Sequence, residues 1–131
     1  MKFIPTCALT ILLLWSHPIE VISAEADSAR AWYRQYCSSC HGADGGGKGP
    51  VTPYLSVKVP DLTLLKKKNN GTYPLDRVMS VIDGRRIVRA HGDREMPVWG
   101  EVFKKEQDRY PELTTLLKAK MIAEYVGTLQ R

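Results

Sequence analysis

Cysteine is scarce in this chain of 131 residues, which contains three of them. Cys7 lies in an apolar N-terminal segment, so only Cys37 and Cys40 remain in the rest of the chain. A structural zinc site needs four ligands, and there is no second cysteine pair to complete one. A convincing catalytic triad or carboxylate pair is also missing. These absences argue against a zinc-binding module and against an enzyme that uses its own side chains as nucleophile, acid or base.

A long apolar run is missing too. The apolar stretch Phe3–Trp15 is interrupted by one proline and two threonines, and it is shorter than the ~20 residues that a membrane-spanning helix needs. Lys2 precedes this stretch and Ala24-Glu25-Ala26 follows it as a cleavage signature. We therefore expect residues 1–26 to be a cleavable signal peptide, with cleavage after Ala24 as an alternative. The mature chain, 27–131, is then a single exported domain, in the periplasm and without a stable membrane anchor.

What the chain does contain is the run Cys37-Ser38-Ser39-Cys40-His41. Two thiols at this spacing can each form a thioether to one vinyl group of the same haem, and the following histidine can then ligate the iron. A redox-active dithiol and a structural disulfide are the competing interpretations. A dithiol of the thioredoxin kind expects a βαβ setting, which this stretch does not offer. The motif therefore predicts one covalently attached haem c at Cys37, Cys40 and His41.

The hydrophobic pattern predicts an all-α fold of short helices. Candidate caps and apolar spacing place the first helix from Asp27 to Cys40 and a short one from Asp61 to Lys68. A third begins near Pro74 and ends before Gly84, and a last one begins at Thr114 or Thr115. The segment from Arg85 to Phe103 looks irregular. The positions expected to be buried on the last two helices are Leu75, Val78, Met79, Ile82, Leu117, Met121, Ile122, Tyr125, Val126 and Leu129.

The glycine-rich segment from His41 to Pro50 superficially resembles a phosphate-binding loop. Gly49 stands where that motif needs serine or threonine, and no strand precedes the segment. Glycine here is better explained by close approach of the backbone to a flat ligand.

In order along the chain, these features resemble a class I c-type cytochrome of the bacterial kind. The resemblance is carried by Cys37-x-x-Cys40-His41, Gly49-Pro50, Met96-Pro97-Val98-Trp99-Gly100, and Tyr125 on the last helix. It implies that 27–131 is a monohaem cytochrome c domain whose helices surround the haem. One departure is Ala29, eight residues before Cys37, where the family often has glycine. Alanine predicts a slightly wider crossing of the terminal helices, while Tyr33 keeps the aromatic position four residues before Cys37.

The resemblance also suggests the iron ligands. His41 is the proximal ligand, and its second ring nitrogen is expected to donate to the carbonyl of Pro50. Met96 is the expected sixth ligand because it lies in a polar run before a proline, whereas Met79 and Met121 sit on apolar stripes. His91 and an open or water-ligated site are the alternatives. Trp99 and Tyr73 are candidates to flank the haem, and Arg85 or Arg86 to pair with its propionates.

A haem iron with both axial positions filled exchanges electrons but has no vacancy for a substrate, so we expect an electron carrier rather than an enzyme. A haem subunit of a larger oxidase, reductase or dehydrogenase is the alternative, and a ligand-binding or peroxidatic haem is a third. Basic residues outnumber acidic ones by 19 to 14, and removal of 1–26 takes one positive and two negative charges, so that +5 becomes +6. The clusters Lys66-Lys67-Lys68 and Arg85-Arg86-Arg89 favour acidic redox partners or simply solubility. Nucleic acid is not an expected partner.

Overall fold

The computed structural model describes residues 19–86, 97–105 and 111–131. Within those ranges the chain is helical and contains no β-strand, which confirms the all-α prediction. The helices are α1 (Ile19–Tyr36), α2 (Ser38–His41), α3 (Leu65–Lys68), α4 (Leu75–Ile82), α5 (Trp99–Lys105) and α6 (Pro111–Thr128). Single 3₁₀ turns lie at Thr52–Tyr54 and Leu62–Leu64.

The terminal helices cross through an aromatic pair. Helix α6 packs against α1, α4 and α5, and the rings of Tyr33 on α1 and Tyr125 on α6 have centroids 5.2 Å apart. Ala29 is buried on the same helix as Tyr33. Tyr33, Phe103 and Ile122 are the largest fully buried side chains among the described residues, so the core lies between α1, α5 and α6.

Helix α1 begins earlier than the sequence predicted. The predicted start was Asp27, but α1 begins at Ile19, and the Ser28 hydroxyl donates to the carbonyl of Ala24 at 2.8 Å, one turn back inside the helix. The helix ends at Tyr36, and α2 follows after Cys37, whose carbonyl accepts from the backbone N–H of His41 at 2.9 Å. Cys37 therefore lies at the break between α1 and α2, and Cys40 lies within α2.

The short helix after residue 60 is capped as predicted. The side chain of Asp61 accepts from the backbone N–H of Thr63 at 2.9 Å, and the chain then runs through one 3₁₀ turn into α3. Asn70 and Gly71 both have positive φ, 54° and 82°, which ends α3.

The prediction of an irregular segment from Arg85 to Phe103 is wrong at its end, where α5 forms. Trp99 and Phe103 stand one turn apart and both pack against Tyr36. Gly100 weakens the helical signal, but it is required there: a Cβ atom would lie 2.4 Å from the carbonyl oxygen of Asp83. Tertiary packing overrides the local pattern in this segment. Leu117, predicted to be buried on α6, is 48 % exposed.

Candidate haem site

Cys37, Cys40 and His41 line one cavity of about 280 Å³ at the junction of α1 and α2. Apolar side chains from the segment after α2 and from α3, α4 and α6 form most of its walls. Three polar side chains, Lys68, Asn69 and Arg77, lie in the same lining. The apolar wall residues include Leu55, Val57, Val59, Leu62, Leu65, Val78, Val81, Ile82, Trp99, Ile122 and Val126.

The two thiols are not joined in a disulfide. Burial raises the pKa of Cys37 to about 12, with a further contribution from the neighbouring Cys40. A thiol with so high a pKa is protonated at neutral pH, whereas a redox-active dithiol depends on a stabilised thiolate. The environment of Cys37 thus argues against the dithiol interpretation. Among the described residues, no group of three or more His, Cys, Asp or Glu side chains is placed to hold a metal ion.

His41 is buried, and the carbonyl oxygen of Pro60 lies 3.3 Å from its Nδ1. The sequence predicted the carbonyl of Pro50 in this role, and the structure corrects it to Pro60. Pro50 is exposed and does not line the cavity. Its segment instead packs on the backbone of α2: Gly49 donates to the carbonyl of Cys40 at 3.0 Å, and Val51 to that of Ser39 at 3.1 Å.

Gly47 makes the approach of the two loops possible. Its φ of +76° is in the left-handed region, and a Cβ atom there would lie 2.8 Å from the carbonyl oxygen of Val59 and 3.1 Å from that of Pro60. Its N–H donates to the carbonyl of His41 at 2.8 Å. A larger residue would push the Pro60 segment away from the histidine. The glycine signal in the sequence is therefore explained by contact between two loops.

The other predicted residues divide between the cavity and the surface. Trp99 lines the cavity, but Tyr73 does not. The Tyr73 hydroxyl donates to the carbonyl of Ala123 at 2.6 Å, so Tyr73 packs against α6. Arg86 is exposed and outside the lining, and Arg85 pairs with Asp83 at 2.7 Å. The cavity instead holds Lys68 and Arg77, which the sequence analysis missed.

A sequence signal for Arg77 existed. It stands one residue before Val78 and four before Val81, so it borders the apolar stripe of α4 that faces the cavity. Met96, His91 and Arg89 lie outside the described residues. Pro97, the residue directly after Met96, lines the cavity.

A family model for subunit III of cbb3-type cytochrome c oxidase matches residues 24–109. The chain belongs to this cytochrome c family. The resemblance to class I cytochromes and the cytochrome c fold class are thereby confirmed. Searches of curated proteins and of solved structures gave no significant match.

The lining of this cytochrome c domain fits the group that the family implies. Haem c needs two thiols and an imidazole beside an apolar slot, with donors for its two carboxylates, and the cavity provides all of these from Cys37, Cys40, His41, Lys68 and Arg77. None of the helices in the described ranges has the length and apolarity required to cross a bilayer.

Proposed function

We propose that this cytochrome c domain is an exported electron carrier that transfers single electrons through one haem c bound to Cys37 and Cys40. The observation that carries the proposal is that both thiols and the His41 ring line the same apolar cavity. The haem iron supplies a one-electron change, while the chain supplies the attachment, the ligands and the enclosure.

His41 and Met96 are the proposed axial ligands. A hydrogen bond from Nδ1 to the carbonyl of Pro60 leaves Nε2 as the nitrogen for the iron and raises the basicity of the ring. Met96 directly precedes Pro97, and Pro97 lines the cavity. A thioether ligand raises the reduction potential, and the filled sixth position leaves no vacancy for oxygen or peroxide.

The cavity walls keep water from the ligands. Ile82 on α4 and Ile122 and Val126 on α6 are each at most 5 % exposed, and all three line the cavity. A dry, rigid shell changes little when the iron changes charge, which favours fast electron exchange.

Lys68 and Arg77 are the proposed partners of the haem carboxylates, in place of Arg86. Both line the cavity, and among the described residues neither forms an ion pair with an aspartate or glutamate. Two cations beside an apolar slot suit a dianionic macrocycle, because charge-assisted hydrogen bonds to carboxylates are the strong ones.

The redox partner is proposed to have an acidic docking surface. Lys66, Lys67 and Lys68 are all exposed on α3, and Lys68 also borders the cavity. An acidic partner drawn to this helix would arrive close to the haem, and its association rate would fall as salt is added. Cleavage of residues 1–26 and location in the periplasm complete the proposal.

A haem subunit of a larger oxidase is the second candidate. It is favoured by the family description, which names subunit III of a cbb3-type oxidase. Gentle purification from the native source separates the two: a free carrier elutes alone, whereas a subunit co-purifies with a catalytic partner.

The axial ligands are tested by comparing Met96→Ala with Met79→Ala in protein produced with its haem maturation system. Met79 is a matched control because it lies on α4, packs against the hydrophobic core and does not line the cavity. Only Met96→Ala should bind carbon monoxide rapidly when reduced and show a lower potential. Rapid carbon monoxide binding by the unsubstituted protein would refute the filled sixth position.

A further inference from the structure

Gln130 and Arg131, which follow α6, bind the segment after Pro60. The guanidinium Nη2 of Arg131 lies 3.0 Å from Oδ2 of Asp61, and its Nε donates to the hydroxyl of Thr63 at 2.7 Å. The backbone N–H of Arg131 also donates to the carbonyl of Thr63, at 3.1 Å. Three contacts from one residue therefore hold the turn that begins at Asp61.

Gln130 extends the same attachment. Its amide nitrogen donates to the carbonyl of Leu62 at 2.7 Å, and its amide oxygen accepts from the N–H of Lys66 at 2.8 Å. The same turn also contacts the glycine-rich loop after His41: the N–H of Leu62 donates to the carbonyl of Gly45 at 2.8 Å. The turn after Pro60 is thus bonded to Gln130 and Arg131 on one side and to the loop after His41 on the other.

This attachment matters because Asp61 follows the residue whose carbonyl faces His41. The proline ring locks φ of Pro60, so ψ is its one soft backbone dihedral. The Pro60 carbonyl and the Asp61 N–H share one planar peptide unit. Fixing the position of Asp61 therefore fixes the direction of the Pro60 carbonyl, and this carbonyl lies 3.3 Å from Nδ1 of His41.

We infer that the Asp61–Arg131 pair is a positioning clamp that aims the Pro60 carbonyl at His41 and so tunes the proximal ligand. The inference rests on the proposed haem ligation by His41. Neither Arg131 nor Asp61 lines the cavity. They act through the peptide unit between them and the histidine.

Breaking the Asp61–Arg131 pair should shift the reduction potential in one direction. A well-aimed carbonyl strengthens the hydrogen bond from Nδ1. The imidazole then donates more electron density to the iron, which stabilises the oxidised state. Releasing the clamp weakens that bond, so the reduction potential rises. It also exposes the Nδ1 proton to exchange with solvent.

The test uses haem-loaded protein carrying Arg131→Leu, Arg131→Lys or Glu124→Gln. Arg131→Leu removes both side-chain contacts, and Arg131→Lys keeps one cation near Asp61 and serves as the milder variant if the first does not fold. Glu124→Gln breaks the exposed Lys120–Glu124 ion pair on α6, the helix that precedes Arg131, and is the matched control. The measurements are the exchange rate of the His41 Nδ1 proton in the reduced protein and the reduction potential.

We expect Arg131→Leu to speed the exchange by up to about tenfold, the upper range for losing one hydrogen bond to a neutral carbonyl. The potential should rise, Arg131→Lys should fall in between, and Glu124→Gln should change neither quantity. Unchanged exchange and potential in Arg131→Leu, or equal changes in Glu124→Gln, would overturn the clamp while leaving the proposed function intact. An unsubstituted protein without bound haem would overturn both.

Discussion

The hydroxyl of Tyr33, on α1, donates a 2.8 Å hydrogen bond to the carbonyl oxygen of Gly42, the residue directly after His41. Tyr33 is fully buried. Burial is the main cause of its raised pKa, so the phenol stays protonated and keeps donating at all physiological pH values. The first helix therefore holds the haem motif from both ends, through the chain at Cys37 and through this side chain.

Tyr33→Phe should cost about 1–3 kcal/mol of unfolding free energy, because the buried carbonyl of Gly42 loses its partner while the ring packing stays. Urea unfolding of the haem-loaded protein measures this. Tyr54→Phe is the control, since Tyr54 is 87 % exposed and should change little. Equal losses in the two variants would show that the Tyr33 hydrogen bond does not stabilise the fold.

Gly47→Ala should be more destabilising than Gly71→Ala. Both glycines have positive φ, +76° and +82°, so both substitutions carry the backbone strain, of about 1–2 kcal/mol. A Cβ atom at Gly71 meets nothing within 4 Å, whereas at Gly47 it would meet the carbonyl of Val59 at 2.8 Å. The difference in unfolding free energy between the two variants isolates the loop contact. Equal values would mean that the two loops are not pressed together as described.

Arg77→Gln should lower the reduction potential more than Arg86→Gln, although each variant removes one positive charge. Arg77 lines the cavity and Arg86 is exposed outside it, so only the first charge would lie near the proposed haem and oppose its oxidation. A single partly screened charge shifts the potential on the order of tens of millivolts. Redox titration at low salt measures both shifts. A larger shift for Arg86→Gln would restore the sequence-based assignment.

Asp61→Asn should make the protein less sensitive to acid. The hydrogen bond from the Thr63 hydroxyl is the main cause of the lowered pKa of Asp61, with Arg131 contributing. A carboxyl with a lowered folded pKa stabilises the fold above its unfolded pKa of about 3.9, and this stabilisation is lost as pH falls through the folded pKa. The stability gap between Asp61→Asn and the unsubstituted protein should therefore be larger near neutral pH than in acid. A gap that does not change with pH would contradict this.

The sequence predicted the features that depend on short-range chemistry. The cap at Asp61, the apolar stripe of α4 and the placement of Cys37, Cys40 and His41 in one site all follow from spacing that a local segment sets by itself. The family match then confirmed the cytochrome c class.

The sequence could not choose between chemically equal residues far apart in the chain. Pro50 and Pro60 offer the same carbonyl, and the choice depends on how the turn after Pro60 packs against Gly45 and against Gln130 and Arg131. Arg77 and Arg86 likewise offer the same charge, and the orientation of α4 decides which one reaches the cavity. Helix α5 was not predicted because Gly100 weakens the helical pattern of the sequence. Glycine is required there because a Cβ atom would clash with the carbonyl of Asp83.

Covalent attachment of a haem to Cys37 and Cys40, beside His41, is the proposal on which the others depend. The most direct measurement is an optical spectrum of the purified protein, made with its native maturation machinery, before and after acid-acetone extraction. We predict a haem spectrum that changes on reduction and survives extraction, and a Cys40→Ala variant from which more haem is extracted. A colourless, iron-free protein from the same preparation would contradict the account.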